Sequence, residues 1–451
     1  MADALLVDGG HWPVAVIGGG QAGLSMSYHL QRRGIEHVVV EAERAGHEWL
    51  DRRWDTFCLV TPNWQCQLPG FPYQGPDPDG FMARDEIAAY LDGYLRAYCF
   101  PLREHTRATR LRRAGGLFHL DTTAGQCTAG QVVVATGPYQ VPRTPRLAER
   151  IPEGVTQLHS AAYRGPGQLP PGAVLVVGTG QSGCQVAEDL HLAGRQVHLS
   201  VGSAPRVARR YRGRDVVAWL DEMGYYRRAI TDFADADAVR FRANHYVTGR
   251  DGGHDIDLRA FAAGGMELHG RLAGASTEGV LTFNADLERN LDAADAVSES
   301  IKDSIDAYVK QAGITAPDEP RYTPAWVPPS PPGTGGDTLD LRTAGVTSVV
   351  WATGFGADHR WIEIPVFDGR GYPTHRRGMT SCPGLYFLGL PWQHTWGSGR
   401  FGGVGDDARY LLDRITAHSV PSEVSWIAGT PLSTFPGRVR DDDWTAPRTV
   451  A

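Results

Sequence analysis

No two of the six cysteines stand close enough along the chain to act together: Cys58, Cys66, Cys99, Cys127, Cys184 and Cys382 form neither a CxxC nor a CxxxxC pair. A dithiol relay needs two adjacent thiols, so electrons are expected to leave this chain by another route. Histidines and cysteines also lack ligand spacing, which argues against a metal centre. No apolar run reaches membrane-spanning length. The stretch from Met1 to Pro13 has neither the basic region nor the long apolar core of a secretory signal, so a soluble cytoplasmic protein is expected. No basic stripe suggests nucleic acid, and the net charge of −7 points the same way. At 451 residues the chain should form two domains with ample cores.

Glycine, by contrast, is abundant, with 55 residues. Chance alone then supplies roughly 0.8 copies of GxGxxG, so context has to decide which matches matter. Two pass. Val14-Ala15-Val16-Ile17 runs into Gly18, Gly20, Gln21 and Gly23 and then a helical pattern through Leu30. Val174 to Val177 runs into Gly178, Gly180, Gln181, Ser182 and Gly183 and then a helix through Leu190. Each is a strand, a tight turn and a helix N-terminus, the arrangement that receives a pyrophosphate. A third match, Gly397 to Gly402, has no strand running directly into it and reads as a loop.

Two such turns imply two dinucleotides and electron transfer between them. The strand after the first turn, Val38 to Val40, ends at Glu41, placed to accept ribose hydroxyls. The strand after the second, Val197 to Ser200, ends in a hydroxyl and is followed by Arg206, Arg209 and Arg210. Ser200 with Arg206 or Arg209 suits a ribose 2′-phosphate, because guanidinium grips phosphate as a fork. The second site should therefore prefer NADP(H), and Arg206→Ala should harm NADPH use more than NADH use.

Residues 49–73 are aromatic and loop-like, and Met82 to Phe100 reads as an amphipathic helix. Gln131 to Val134 is a strand ending in Ala135-Thr136-Gly137; Val346 to Trp351 is another, ending in Ala352-Thr353-Gly354. Small residues at a strand end admit a ligand or another backbone, and the repeated ending suggests a duplicated architecture. Phe283-Asn284 should cap a long helix reaching about Gln311, and the proline-rich connector Val327 to Gly333 is where the chain should return to the first domain. A buried strand Leu385 to Leu388 ends at Gly389. Past it, Asp406 and Asp407 open a last helix, with Asp406 as its cap.

Together these motifs resemble the flavin-containing monooxygenases, the class B flavoprotein monooxygenases that include the plant indole-3-pyruvate type. Beyond the glycine turns, His159-Ser160-Ala161-Ala162-Tyr163 resembles part of the family fingerprint FxGxxxHxxx(Y/F), with Glu153 and Val155 where its Phe and Gly would stand. Ala352 to Phe355 resembles the ATG(F/Y) motif. The likeness spans roughly residues 14–215 and 345–418. It implies an α/β fold of two Rossmann-like dinucleotide-binding domains, the FAD domain discontinuous and the NADP domain inserted. The expected boundaries are 1–165 and 336–451 for FAD and 166–335 for NADP.

The resemblance also implies a reaction. NADPH reduces FAD, reduced FAD takes O2 as an adduct at the flavin C4a carbon, and one oxygen atom passes to a small organic substrate. N- or S-oxygenation, or oxidation of a ketone or 2-oxo acid, would fit; an NAD(P)H:acceptor oxidoreductase without oxygenation is the alternative. The family likeness makes Asn63 the polar candidate near the flavin and His159 a positioning residue in the linker. It also sets Trp49 against the FAD and aims the positive end of the last helix at the flavin pyrimidine ring. Trp392, Gln393, His394, Trp396 and Arg400 fall where a substrate mouth would be, with no role assigned. Whether the chain forms a homodimer is left open.

Overall fold

The computed structural model describes residues 10–329 and 337–419. Two sheets organise it, and each grows from one of the glycine turns. The first has seven strands. Its centre is the parallel pair Gly10–Ile17 and Gly125–Val134, in register from Gly10↔Cys127 to Ile17↔Val134. His37–Val40 and Leu102–Arg103 extend one side in parallel. On the other side the antiparallel hairpin Ala108–Ala114 and Leu117–Thr122 pairs with the first half of Gly125–Val134. The second half of that strand pairs with Leu385–Phe387.

Alternation along these strands divides the core. Val14, Val16, Val39 and Val133 face the helices Gln21–Arg32, Arg84–Tyr98 and Val404–Ser419. Ala15, Ile17, Val38 and Val134 face Phe118, Ile362 and Ile364. Near-continuous apolar runs are what strands buried on both faces require.

The second sheet has five strands, all parallel, in the order Thr156–His159, Val346–Trp351, Ala173–Val177, Val197–Ser200, Glu267–His269. Gln181–Leu192 and Leu287–Ala312 cover one face through Val186, Leu190, Leu291 and Ala294. An antiparallel meander, Leu272–Ala275, Val280–Phe283 and Thr338–Asp340, covers the other. The long helix begins at Leu287 with Asp286 as its N-cap residue, two positions after Asn284 of the expected cap. The Asp286 carboxylate is instead occupied by Arg271.

The fold is thus the two-dinucleotide α/β architecture, but its sheet boundaries differ from those expected. Thr156–His159 and Val346–Trp351 belong to the second sheet, although the expected boundaries place both in the FAD domain. The chain returns to the first unit after Trp351. Its outgoing and returning segments, Val141–Pro142 and Phe355–Gly356, pair as an antiparallel two-stranded ribbon. The proline-rich connector lies before this return, and residues 330–333 of it fall outside the described residues. Among the described residues, no helix is long and apolar enough to cross a membrane.

Candidate active site

The two turns have nearly the same geometry. Gly18 has φ +113° and Gly178 φ +104°, conformations that favour glycine. A Cβ on Gly18 would fall 2.5 Å from the Ala135 carbonyl oxygen, and one on Gly178 would fall 2.7 Å from that of Ala352. The repeated Ala-Thr-Gly endings therefore lie against the two turns. A Cβ on Gly23 would sit 1.8 Å from the Gly18 oxygen, and on Gly183 1.9 Å from the Gly178 oxygen. Gly23, Gly178 and Gly183 hold helix and turn together and do not line the cavity. Gly20 and Gly180 are different. Each is a helix N-cap residue with no side-chain cap, and a Cβ there would meet nothing within 4 Å. That is open room in front of free helix N–H groups, the requirement for a pyrophosphate.

The glutamines in the turns share a task. Trp49 Nε1 donates to Gln21 Oε1 at 3.3 Å, and Gln21 Nε2 donates to the Gly399 carbonyl at 3.3 Å. Gln181 Nε2 donates to the Val247 carbonyl at 2.6 Å and its Oε1 accepts the Val247 N–H at 3.3 Å. Each glutamine clips a distant loop over its own turn. Trp49 also stacks on Phe401 at 5.3 Å between ring centroids. Glu41 accepts the N–H of Gly19 at 2.6 Å and of Glu43 at 2.9 Å, which aims its carboxylate across the first turn.

Both turns open into one cavity of about 1700 Å³. Gly18, Gly20, Gln21, Glu41, Trp49, Ala135, Thr136 and Gly137 line its first end; Gly180, Gln181 and Ser182 line its second. Gly354, Gly389, Asp406 and Asp407 complete the wall between. Three lining side chains bury an oxygen with no partner: Gln65 Oε1, Gln185 Oε1 and Asp407 Oδ2. An unmet buried acceptor is costly, and a bound ligand is the natural way to meet it. With the open helix ends, these orphans fit two dinucleotides.

Several expected site residues are committed elsewhere. Asn63 is buried outside the cavity lining: its Oδ1 accepts the Met82 N–H at 2.7 Å and its Nδ2 donates to the Asp77 carbonyl at 2.9 Å. It ties down the 77–82 loop. His159 Nε2 donates to the Gly354 carbonyl at 3.0 Å, and its Nδ1 accepts the Ala161 N–H at 3.2 Å. Both ring nitrogens are taken, and burial lowers its pKa, so it pins the linker to the returning strand instead of exchanging protons.

The arginine expectations are likewise corrected. Ser200 Oγ is buried between the Gly270 carbonyl and the Leu272 N–H, each at 3.0 Å. Arg206 is 3% exposed, pairs through Nε with Asp295 at 2.5 Å and lies 3.9 Å over the Tyr322 ring. Neither lines the cavity. Arg209 does, but its Nη atoms go to Asp215 at 2.5 Å and the Val60 carbonyl at 2.7 Å, leaving only Nε unpartnered. No phosphate-gripping fork remains on it. Thr353 Oγ1 donates to the Arg143 carbonyl at 2.5 Å and supports the two-stranded ribbon. Asp406 lies within the first turn of the last helix and pairs with Arg409; it is not the cap.

The sequence reading assigned no role to the distal wall. Tyr225, Tyr226, Phe233, Asn244 and His245 reach the cavity from the insertion and meet Trp396 and Arg400 from the C-terminal loop. Tyr226 packs on Trp396 at 4.4 Å, and Arg400 lies 3.7 Å over the same indole while donating to Asn244 Oδ1 at 2.9 Å. The clustered aromatic and Arg content of residues 225–242 was the available signal.

Residues 15–251 match the pyridine nucleotide-disulphide oxidoreductase family. A CzcO-like oxidoreductase of Geobacillus kaustophilus is 34% identical over 408 residues, covering 90% of this chain and 98% of that protein. A probable indole-3-pyruvate monooxygenase of Arabidopsis thaliana, YUCCA3, is 27% identical over 204 residues, which is 43% of this chain and 46% of that protein. The solved flavin-containing monooxygenase of Stenotrophomonas maltophilia shares the fold at TM-score 0.62 and 22% identity, covering 91% of this chain and all of that one. With both glycine cradles facing one cavity, the chain belongs to the pyridine nucleotide-disulphide oxidoreductase family and is an oxidoreductase, with the fold of the flavin-containing monooxygenases.

Proposed function

We propose that the protein is an NADPH-dependent monooxygenase that transfers one oxygen atom from O2 to a small organic acid carrying an aromatic or apolar body. One observation carries the reading: both nucleotide turns open into a single cavity, and no cysteine lines it. The six cysteines are all free and none is paired with another. A family fold whose name invokes disulphide chemistry therefore has no thiol at its centre to receive electrons, which supports O2 over a protein dithiol as the acceptor.

Bound FAD would supply hydride acceptance from the nicotinamide and activation of O2. The chain's own residues do the rest. Gly20 and Gly180 admit the pyrophosphates, Glu41 holds the first ribose, and Trp49 with Phe401 walls the first site. His159 keeps the linker against Gly354, so the two cradles stay aimed at one space. The aromatic wall of Tyr225, Tyr226, Phe233 and Trp396 keeps water from that space, which an oxygen-transfer step requires.

The charge of the distal wall narrows the substrate. Arg400 and Arg242 line it together with Asp221, and Arg400 donates only to neutral partners, the Trp396 carbonyl and Asn244 Oδ1. Guanidinium favours a carboxylate and repels an ammonium, so a 2-oxo acid or related acid is favoured over an amine. The test supplies the FAD-loaded protein with NADPH, heavy-isotope oxygen gas and a panel of aromatic 2-oxo acids, sulfides and amines. A product carrying one heavy oxygen atom, formed fastest from the acids, supports the proposal. Stoichiometric hydrogen peroxide with no oxygenated product across the panel makes the protein a reductase instead.

A further inference from the structure

The second sheet carries a cluster that the nucleotide chemistry does not use. His198 lies on Val197–Ser200, and Glu267 and His269 lie on the neighbouring edge strand Glu267–His269. The register pairs His198 with Glu267 and Ser200 with His269. With side chains alternating along each strand, all three point from the same face. The three ligand atoms lie within 4.8 Å of one another. None of the three residues lines the cavity.

We propose that His198, His269 and Glu267 form a binding site for a divalent transition metal, Zn2+ by donor chemistry, in which Asp337 orients His269. The spacing supports it. Zinc bonds of about 2.0–2.2 Å in tetrahedral array put neighbouring ligand atoms about 3.3 Å apart. Here His198 Nδ1 lies 3.1 Å from His269 Nε2 and 3.4 Å from Glu267 Oε2. The outer partner is also in place. His269 Nδ1 donates to Asp337 Oδ2, which leaves the Nε2 lone pair facing His198. A carboxylate behind a ligating imidazole is the usual support of such a site. His269 is further held by stacking on Phe283 at 4.5 Å.

His198 Nδ1 and His269 Nε2 are in hydrogen-bond contact at 3.1 Å, and a bound metal would take the place of that contact. Both histidines are buried, whereas Glu267 is half exposed, so the fourth position opens towards solvent and a water. Two imidazoles and one carboxylate suit Zn2+ and poorly suit Mg2+ or Ca2+, which want oxygen alone. The site would fasten the sheet's edge strand to its neighbour and, through Asp337, to the start of Thr338–Asp340.

The test uses the full, untagged, FAD-loaded chain, stripped with chelator, desalted and titrated with Zn2+ and, separately, Co2+. The expected result is one equivalent of Zn2+ retained per chain, a Co2+ ligand-field spectrum of tetrahedral type, and a melting temperature raised by roughly 5–10 °C at saturating Zn2+. Asp337→Asn should weaken Zn2+ binding about 10–100-fold. Glu267→Gln, at an exposed position, should weaken it at least about tenfold while flavin content and NADPH oxidation stay unchanged. Retention below a tenth of an equivalent overturns the proposal, as does binding undiminished in Glu267→Gln and in His198→Gln.

Discussion

Replacing Arg206 by Ala separates a stabilising arginine from a phosphate-reading one. Arg206 is almost fully buried, bonded through Nε to Asp295 at 2.5 Å and stacked 3.9 Å over Tyr322, with Asp255 at 3.8 Å. Breaking a buried pair costs about 3–5 kcal/mol because the partner charge is left alone. Asp295 keeps Arg259 at 2.9 Å, which places the loss at the lower end, and the lost cation–π contact adds about 1 kcal/mol. A total near 3–4 kcal/mol corresponds to a melting temperature lowered by roughly 6–15 °C for a unit of this size. The assay pairs a thermal melt with kcat/KM for NADPH and for NADH, measured well below the melt. The NADPH-to-NADH ratio should stay within about twofold, since a shift of 1.4 kcal/mol would already be tenfold. A tenfold fall in that ratio with an unchanged melt would refute the buried-pair assignment and restore the 2′-phosphate role.

The two glycine cradles are separable by mutation. Gly23→Ala drives a Cβ into the Gly18 carbonyl and should yield protein without bound flavin, read from its visible spectrum. Gly183→Ala makes the matching clash at Gly178, so the protein should remain yellow and reducible by dithionite but not by NADPH. Asn63→Ala strands the Met82 N–H and should cost about 1–3 kcal/mol of stability, while product formed per NADPH consumed stays at the wild-type value. Acid should destabilise the fold. Burial pushes the pKa of His245 and of His375 down to about 4, with Arg242 and Arg240 respectively adding to it. Between 6.5 and 4 the unfolded chain binds protons that the folded chain refuses, so stability rises with pH across that window and is lost as pH falls through it. A melting temperature that holds steady on acidification, or a slope unchanged in His245→Gln with His375→Gln, would contradict this.

The two glycine turns were legible because their geometry is local. Strand, three glycines and helix stand within about ten residues, and no other residue tolerates the Gly18 or Gly23 positions. The Ala-Thr-Gly endings were legible for the same reason, since the contact they make with each turn demands small residues. Membership of Val346–Trp351 in the second sheet was not legible: an apolar run states that it is buried but not which strand it pairs with. Arg206 and Arg209 were misplaced on similar grounds. Their type suits phosphate, but the partners that claim them, Asp295 and Asp215, show themselves only in three dimensions. His198 and His269 leave no ligand spacing in the sequence because 71 residues separate them and only the pairing of their strands brings them together.

The ribbon of Val141–Pro142 and Phe355–Gly356 has an architectural consequence. A unit whose entry and exit run side by side makes both chain crossings at one place, so a graft would have to match one backbone seam and the side-chain contacts of Arg209 with Val60 and of Arg400 with Asn244.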